Sequence, residues 1–116
     1  NMQIFSFERT RLNLGCGNDI RQGYINIDAN PKSGEVLKAN LTDVIEMFRE
    51  GTVDEIVAKD VIEHLGFPAA LRALDTWVAL LKPGGILEIQ TPCYPDGVSV
   101  GIGRSQETLG DAKEDI

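Results

Sequence analysis

Leu12-Asn13-Leu14-Gly15-Cys16-Gly17-Asn18-Asp19, followed by Tyr24-Ile25-Asn26-Ile27-Asp28, decides how the rest of the chain is read. The first segment alternates Leu12 and Leu14 with polar residues, as a strand does, and then runs into two glycines one residue apart. Glycine is needed there if the backbone must take φ > 0 or let a ligand approach closer than a Cβ permits. The second segment reads as a strand ending in the carboxylate of Asp28, eleven residues past Gly17. A glycine loop after one strand and an acid at the end of the next is how an α/β sheet holds a nucleoside. The pair alone also fits a tight strand-to-loop turn with a surface Asp, since Ile20 stands where a third glycine of the dinucleotide fingerprint would be.

Only five residues, Asp19 to Gly23, separate the loop from Tyr24. A crossover between parallel strands takes a dozen or more residues, so the first helix is expected to be a single turn or missing. Downstream, Glu35 to Ala39 reads as a short third strand, and Asp43 to Glu50 as a helix stopped by Gly51. Asp54 to Lys59 is a fourth strand, and Asp60 to Leu65 a turn or short helix. A helix entered through Pro68 carries Leu71, Leu74, Trp77, Val78 and Leu81 in an amphipathic pattern. It ends at Lys82-Pro83-Gly84-Gly85, before a fifth strand at Ile86 to Thr91. Strands alternating with helices predict a Rossmann-like three-layer α/β sandwich with a mostly parallel sheet of about five strands. Ligands then bind at the carboxyl ends of those strands, where residues 15–18, Asp28, Asn40 and residues 59–63 converge. Residues 1–92 form the expected core. Residues 93–116 read as a polar, glycine-rich tail, with Val98, Val100 and Ile102 enough for one short edge strand.

With 116 residues the chain is the size of one domain, and its apolar content of 42% is that of a globular protein. A net charge of −7 with no basic stripe argues against nucleic acid as a partner. Cys16 and Cys93 form no C-x-x-C, so two free thiols and no metal site are expected. With no apolar run of membrane-spanning length, the chain reads as cytoplasmic.

The motifs together resemble the class I S-adenosylmethionine-dependent methyltransferases, the small-molecule type whose first motif reads Leu12-Asn13-Leu14-Gly15-Cys16-Gly17. The blocks Val53-Asp54-Glu55-Ile56-Val57, Val61-Ile62-Glu63-His64-Leu65 and Leu80-Leu81-Lys82-Pro83-Gly84-Gly85-Ile86-Leu87 follow in the family's order, covering roughly residues 10 to 92. The resemblance implies S-adenosylmethionine as cofactor, S-adenosylhomocysteine as product and a small-molecule acceptor. It assigns cofactor contact to Asn13, Gly15, Cys16, Gly17, Asn18, Asp28, Asn40, Leu41 and Lys59. Asp28 would accept hydrogen bonds from both ribose hydroxyls, while Ala39, Asn40 and Leu41 would edge the adenine. Asp60 and His64 are the candidates for acid–base work on an acceptor, although the family's Glu-His pair commonly looks structural. Trp77 belongs to a core stripe, and Cys16 is a small residue allowing close approach rather than a nucleophile.

The chain departs from the family in its shortened first helix and in Asn40, where an acid is common. It also lacks a clear C-terminal antiparallel edge pair. A free edge at Ile86 to Thr91 would be too apolar to stand alone, which raises a homodimer through the sheet edge as an expectation. The alternative to an active enzyme is a truncated or non-catalytic methyltransferase-like module that binds cofactor. An NAD-binding domain is disfavoured, because its acid lies about 20 residues past the glycines.

Overall fold

The computed structural model describes residues 9–91 and 94–101. The expectations for Cys93 and for the tail beyond Gly101 fall outside those residues. Among the described residues six strands form one sheet: β1 (Arg11–Leu14), β2 (Ile25–Asp28), β3 (Leu37–Lys38), β4 (Val53–Lys59), β5 (Leu81–Thr91) and β6 (Tyr94–Gly101). Their spatial order is β3-β2-β1-β4-β5-β6. The first five run parallel, and β6 is antiparallel to β5. Chain order reverses between β1 and β4, so the crevice at their carboxyl ends is the switch point at which such sheets bind ligands.

Strand register separates two unlike faces. On one, Leu12 lies beside Ile25 and Ile56, Ile56 beside Leu87, and Leu14 beside Ile27 and Ala58. These residues belong to or pack on a single apolar cluster under helix α1 (Phe67–Leu80). α1 buries Ala73, Trp77 and Leu80 at i, i+4 and i+7, leaving Leu71 and Val78 exposed. The sequence periodicity points a quarter-turn away from this stripe. The indole fixes the rotation: Trp77 is fully buried, and its Nε1 donates to the Leu41 carbonyl at 2.9 Å. Leu81 is buried too, but as the first residue of β5.

The helix expected over Asp43 to Glu50 is only a 3-10 turn, Val44–Glu46. No side chain caps it, and the β-branched pair Val44-Ile45 gives it little helical propensity. Val44 nonetheless fills the core, with Ile45 and Phe48 packed against it. Among the described residues no helix lies between Gly17 and Ile25. On that second face a loop over residues 18–24 takes the helix's place, against Asn13 and Asn26, which sit side by side in the β1–β2 register.

The edge expected at β5 is not free. β6 pairs along it from Ile86 opposite Gly101 to Thr91 opposite Tyr94, so the tail folds back and supplies the antiparallel neighbour itself. That removes the ground for a homodimer through the β5 edge. No helix of the described residues is long and apolar enough to cross a membrane.

Asp54, at the start of β4, joins three segments. Its Oδ2 accepts from the Thr10 N–H at 2.8 Å, and its Oδ1 lies 2.9 Å from Lys82 Nζ. Burial pushes the Asp54 carboxyl up, but the Thr10 N–H and the Lys82 ammonium outweigh it and hold the group below its ordinary value. A carboxylate depressed in the fold stabilises fully above its unfolded value, about pH 4, and that contribution is lost as pH falls through the folded value. Asp54→Asn should therefore cost about 1–2 kcal/mol at neutral pH, Lys82 being half in solvent, and should flatten the acid limb of the stability profile. Thermal unfolding across the acid range measures both effects; a variant parallel to the wild type there would remove Asp54 from the acid response.

Candidate cofactor site

The β1–β2 ladder continues past Leu14, with the amides of Gly15 and Cys16 both donating to the Ile27 carbonyl at 2.8 and 3.3 Å. Gly15 and Gly17 take φ of 66° and 54°. This left-handed region costs an L-residue roughly 1–2 kcal/mol. Their surroundings differ. A Cβ on Gly15 would overlap a Val61 methyl and press on Leu41, whereas one on Gly17 would meet nothing within 4 Å. Gly15 is thus a packing glycine, and Gly17 faces open space.

That space is a cavity of about 360 Å³, within the range of small-ligand sites. Asn13 and residues 15–19 line one side and Lys59 with Asp60 the other. Cys16 and Asn18 sit in the loop wall. Asp28 is not in the lining but closes the loop from behind: its Oδ2 accepts from the Gly17 N–H and its Oδ1 from the Asn30 N–H, both at 2.8 Å. A carboxylate offers about four lone-pair sites, so each oxygen keeps one for a further donor.

Asp60 is the one non-glycine residue with positive φ (56°) among the described residues. Its amide donates to the Gln90 carbonyl at 2.7 Å, which carries the β4–β5 pairing one residue past the strand and turns Asp60 into the cavity wall. Burial, and after it the Asp28 and Asp19 carboxylates, push the Cys16 thiol up. It therefore stays protonated at neutral pH, which suits a small wall residue and not a nucleophile.

Other sequence candidates are placed elsewhere. Leu41 packs toward Gly15, and its carbonyl holds the Trp77 indole. The Asn40 side chain accepts from the Thr42 amide and hydroxyl, a local turn outside the cavity lining. His64 does not join the cavity: its side chain is 75% exposed, and Nε2 lies 3.7 Å from Glu63 Oε2. Asp19, Val61 and Asn26 lie within the quoted motifs but carry no role of their own in the sequence. Of these, only Asn26 leaves a sequence signal, as a polar residue between Ile25 and Ile27 in an apolar strand.

Residues 12–89, more than half of the chain, match the family described as a methyltransferase domain. The chain belongs to that family. Solved structures sharing the fold of this methyltransferase domain include an S-adenosylmethionine-dependent methyltransferase from Archaeoglobus fulgidus. Its identity is 20% and its TM-score 0.62, covering 78% of this chain and 48% of that one. A second, from Mesorhizobium loti, has 18% identity and a TM-score of 0.54, covering 72% and 46%. The Haemonchus contortus phosphoethanolamine N-methyltransferase 2, solved with S-adenosyl-L-methionine, has 19% identity and a TM-score of 0.54, covering 70% and 24%. The methyltransferase domain described here thus spans about half, or less, of the chains it resembles. Comparison with curated proteins finds no sequence match.

Proposed function

We propose that this methyltransferase domain binds S-adenosylmethionine in the cavity between residues 15–19 and Lys59–Asp60, and serves methyl transfer to a small-molecule acceptor. The observation that carries the reading is the Gly17–Asp28 contact. A glycine with nothing where its Cβ would stand is held by a carboxylate that keeps lone pairs for a diol. The loop backbone in the cavity wall suits the amino-acid half of the cofactor, and Asp28, bonded to Gly17 just outside that lining, is the acid for the ribose. When bound, the cofactor supplies a methyl group made electrophilic by a sulfonium. Displacement at such a carbon needs little covalent help, so the domain's own work is to position the reactants and exclude water. Where an acceptor hydroxyl or ammonium must lose a proton, Asp60 in the cavity wall is the group placed to take it. His64 faces solvent away from the cavity and is set aside for that role.

A cofactor-binding module without its own acceptor site is the second reading. It is supported by His64, one of the two acid–base candidates, lying outside the cavity lining. Calorimetric titration with S-adenosylhomocysteine, S-adenosylmethionine and NAD tests the shared premise. The first two are expected to bind with dissociation constants in roughly the micromolar range, about −8 kcal/mol, and NAD to give no heat. Tighter binding of NAD, or none of the three, would overturn it.

A further inference from the structure

We infer that Asn26, paired with Asn13 behind the glycine loop, is a positioning residue that holds the cofactor loop in the place of the first crossover helix. The inference rests on the cofactor reading above and names what keeps that site in shape.

Asn13 and Asn26 are 2% and 6% exposed. Nothing in an apolar sheet calls for two buried amides. Their hydrogen bonds show what they are for. Asn26 Oδ1 accepts from Asn13 Nδ2 at 2.8 Å and from the Arg21 amide at 3.0 Å. Asn26 Nδ2 donates to the carbonyls of Arg21 and Tyr24 at 3.2 and 3.3 Å. Asn13 Nδ2 donates to the Asp19 carbonyl at 2.8 Å. Two side chains thus satisfy four main-chain groups of residues 19–24, the groups a helix would have paired within itself.

The coupling to the cavity is short. Asp19 lines it, and the Asp19 amide donates to the Cys16 carbonyl at 2.7 Å, so displacing Asp19 displaces the turn that contains Gly17. Asn13 reaches the same cavity, but its amide nitrogen is already committed twice, which makes it part of the support rather than a free ligand donor. Apolar residues at both positions would take these partners from the Arg21 amide and from the Asp19 and Tyr24 carbonyls, leaving the Arg21 carbonyl only the Tyr24 amide, and the loop would have to leave the sheet to hydrate them.

Asn26→Asp tests the inference because it keeps shape while changing donors. A protonated carboxyl still donates to one of the two carbonyls; an ionised one faces both with a negative charge. Burial and the two carbonyls raise the introduced group's pKa, opposed by the Asn13 side-chain amide and the Arg21 N–H, which donate to its other oxygen. Charged and titratable groups nearby are Arg21 and Asp19 on the loop, Tyr24, Arg11 and Glu55 across the sheet, and Asp28 at the strand end. These are common to the wild type, which serves as the control.

Affinity of Asn26→Asp for S-adenosylhomocysteine should be near that of wild type at about pH 5 and roughly tenfold or more weaker at about pH 8. Hydrogen-exchange protection at the Arg21 and Gly17 amides, corrected for the intrinsic pH effect, should fall in parallel. A purely structural role would lower the melting temperature with pH yet leave the folded variant's affinity constant, and that result would overturn the inference. If wild type binds no S-adenosylhomocysteine, the cofactor reading fails, and the exchange data alone decide whether Asn26 holds the loop. Should the variant not fold, the Asn26 side-chain amide of the unmutated protein decides: slow exchange, slowed further by S-adenosylhomocysteine, supports the inference, and exchange at the rate of a free amide refutes it.

Discussion

Replacing Asp28 by alanine should weaken S-adenosylhomocysteine binding about a hundredfold or more while the sheet remains folded. Hydrogen bonds to an ionised acceptor contribute about 1.5–3 kcal/mol each, so two ribose hydroxyls represent at least about 3 kcal/mol, and about 1.4 kcal/mol is a factor of ten. The same substitution frees the Gly17 amide, letting the loop relax away from its bound shape. The fold loses less, since Asp28 is half-buried at the end of a strand and the apolar cluster does not include it. The side-chain amide of an Asp28→Asn variant would present one acceptor and one donor. It could match Gly17 N–H or Asn30 N–H but not both, and should fall between wild type and alanine. Calorimetry with circular dichroism on the same samples reads both quantities. A folded Asp28→Ala protein with unchanged affinity would mean that Asp28 is only the clasp of the turn.

How much of this was legible in the sequence follows from how local each signal is. The glycine loop, Asp28 and the shortened first crossover are statements about spacing, and spacing survives folding. The parallel order of five strands followed from strand–helix alternation for the same reason. What needed the structure was rotational or long-range. The rotation of α1 is set by a hydrogen bond from Trp77 to Leu41, 36 residues away, which helical periodicity cannot register. The alternation of Val98 and Val100 allows a short edge strand, but the extent of β6 from Tyr94 to Gly101 comes from its pairing with β5, across glycine, proline and aspartate that disfavour a strand by themselves. His64 sits four residues after Asp60, yet the chain turns between them through Asp60's positive φ and a 3-10 turn, so nearness in sequence did not become nearness in the site. Asn26 looked like the polar half of an alternating strand. Only its register opposite Asn13, and a loop with no helix to pair its own backbone, give its amide a task.

Gly17→Val should abolish measurable S-adenosylhomocysteine binding at a stability cost of only about 2 kcal/mol, a combination that Gly15→Val will not show. Both glycines sit at positive φ. Each substitution therefore carries the left-handed penalty of roughly 1–2 kcal/mol, somewhat more for a β-branched residue. Beyond that the sites diverge. At position 17 the new Cβ has no protein atom within 4 Å and stands at the wall of the space assigned to the cofactor, so its cost falls on binding. At position 15 it must displace Val61 and Leu41, both tied to the apolar cluster. Overpacking there adds about 1–3 kcal/mol to the backbone cost. Gly15→Val should therefore lose binding because the fold is damaged, with a clearly lower melting temperature. Thermal unfolding paired with calorimetry on the two variants separates these effects. If Gly17→Val melted like Gly15→Val, the open space beside Gly17 would be occupied by protein; if it melted near wild type and still bound normally, the loop would not touch the ligand. Loss of binding with a modest drop in melting temperature is the outcome that the geometry of residues 15–19 requires.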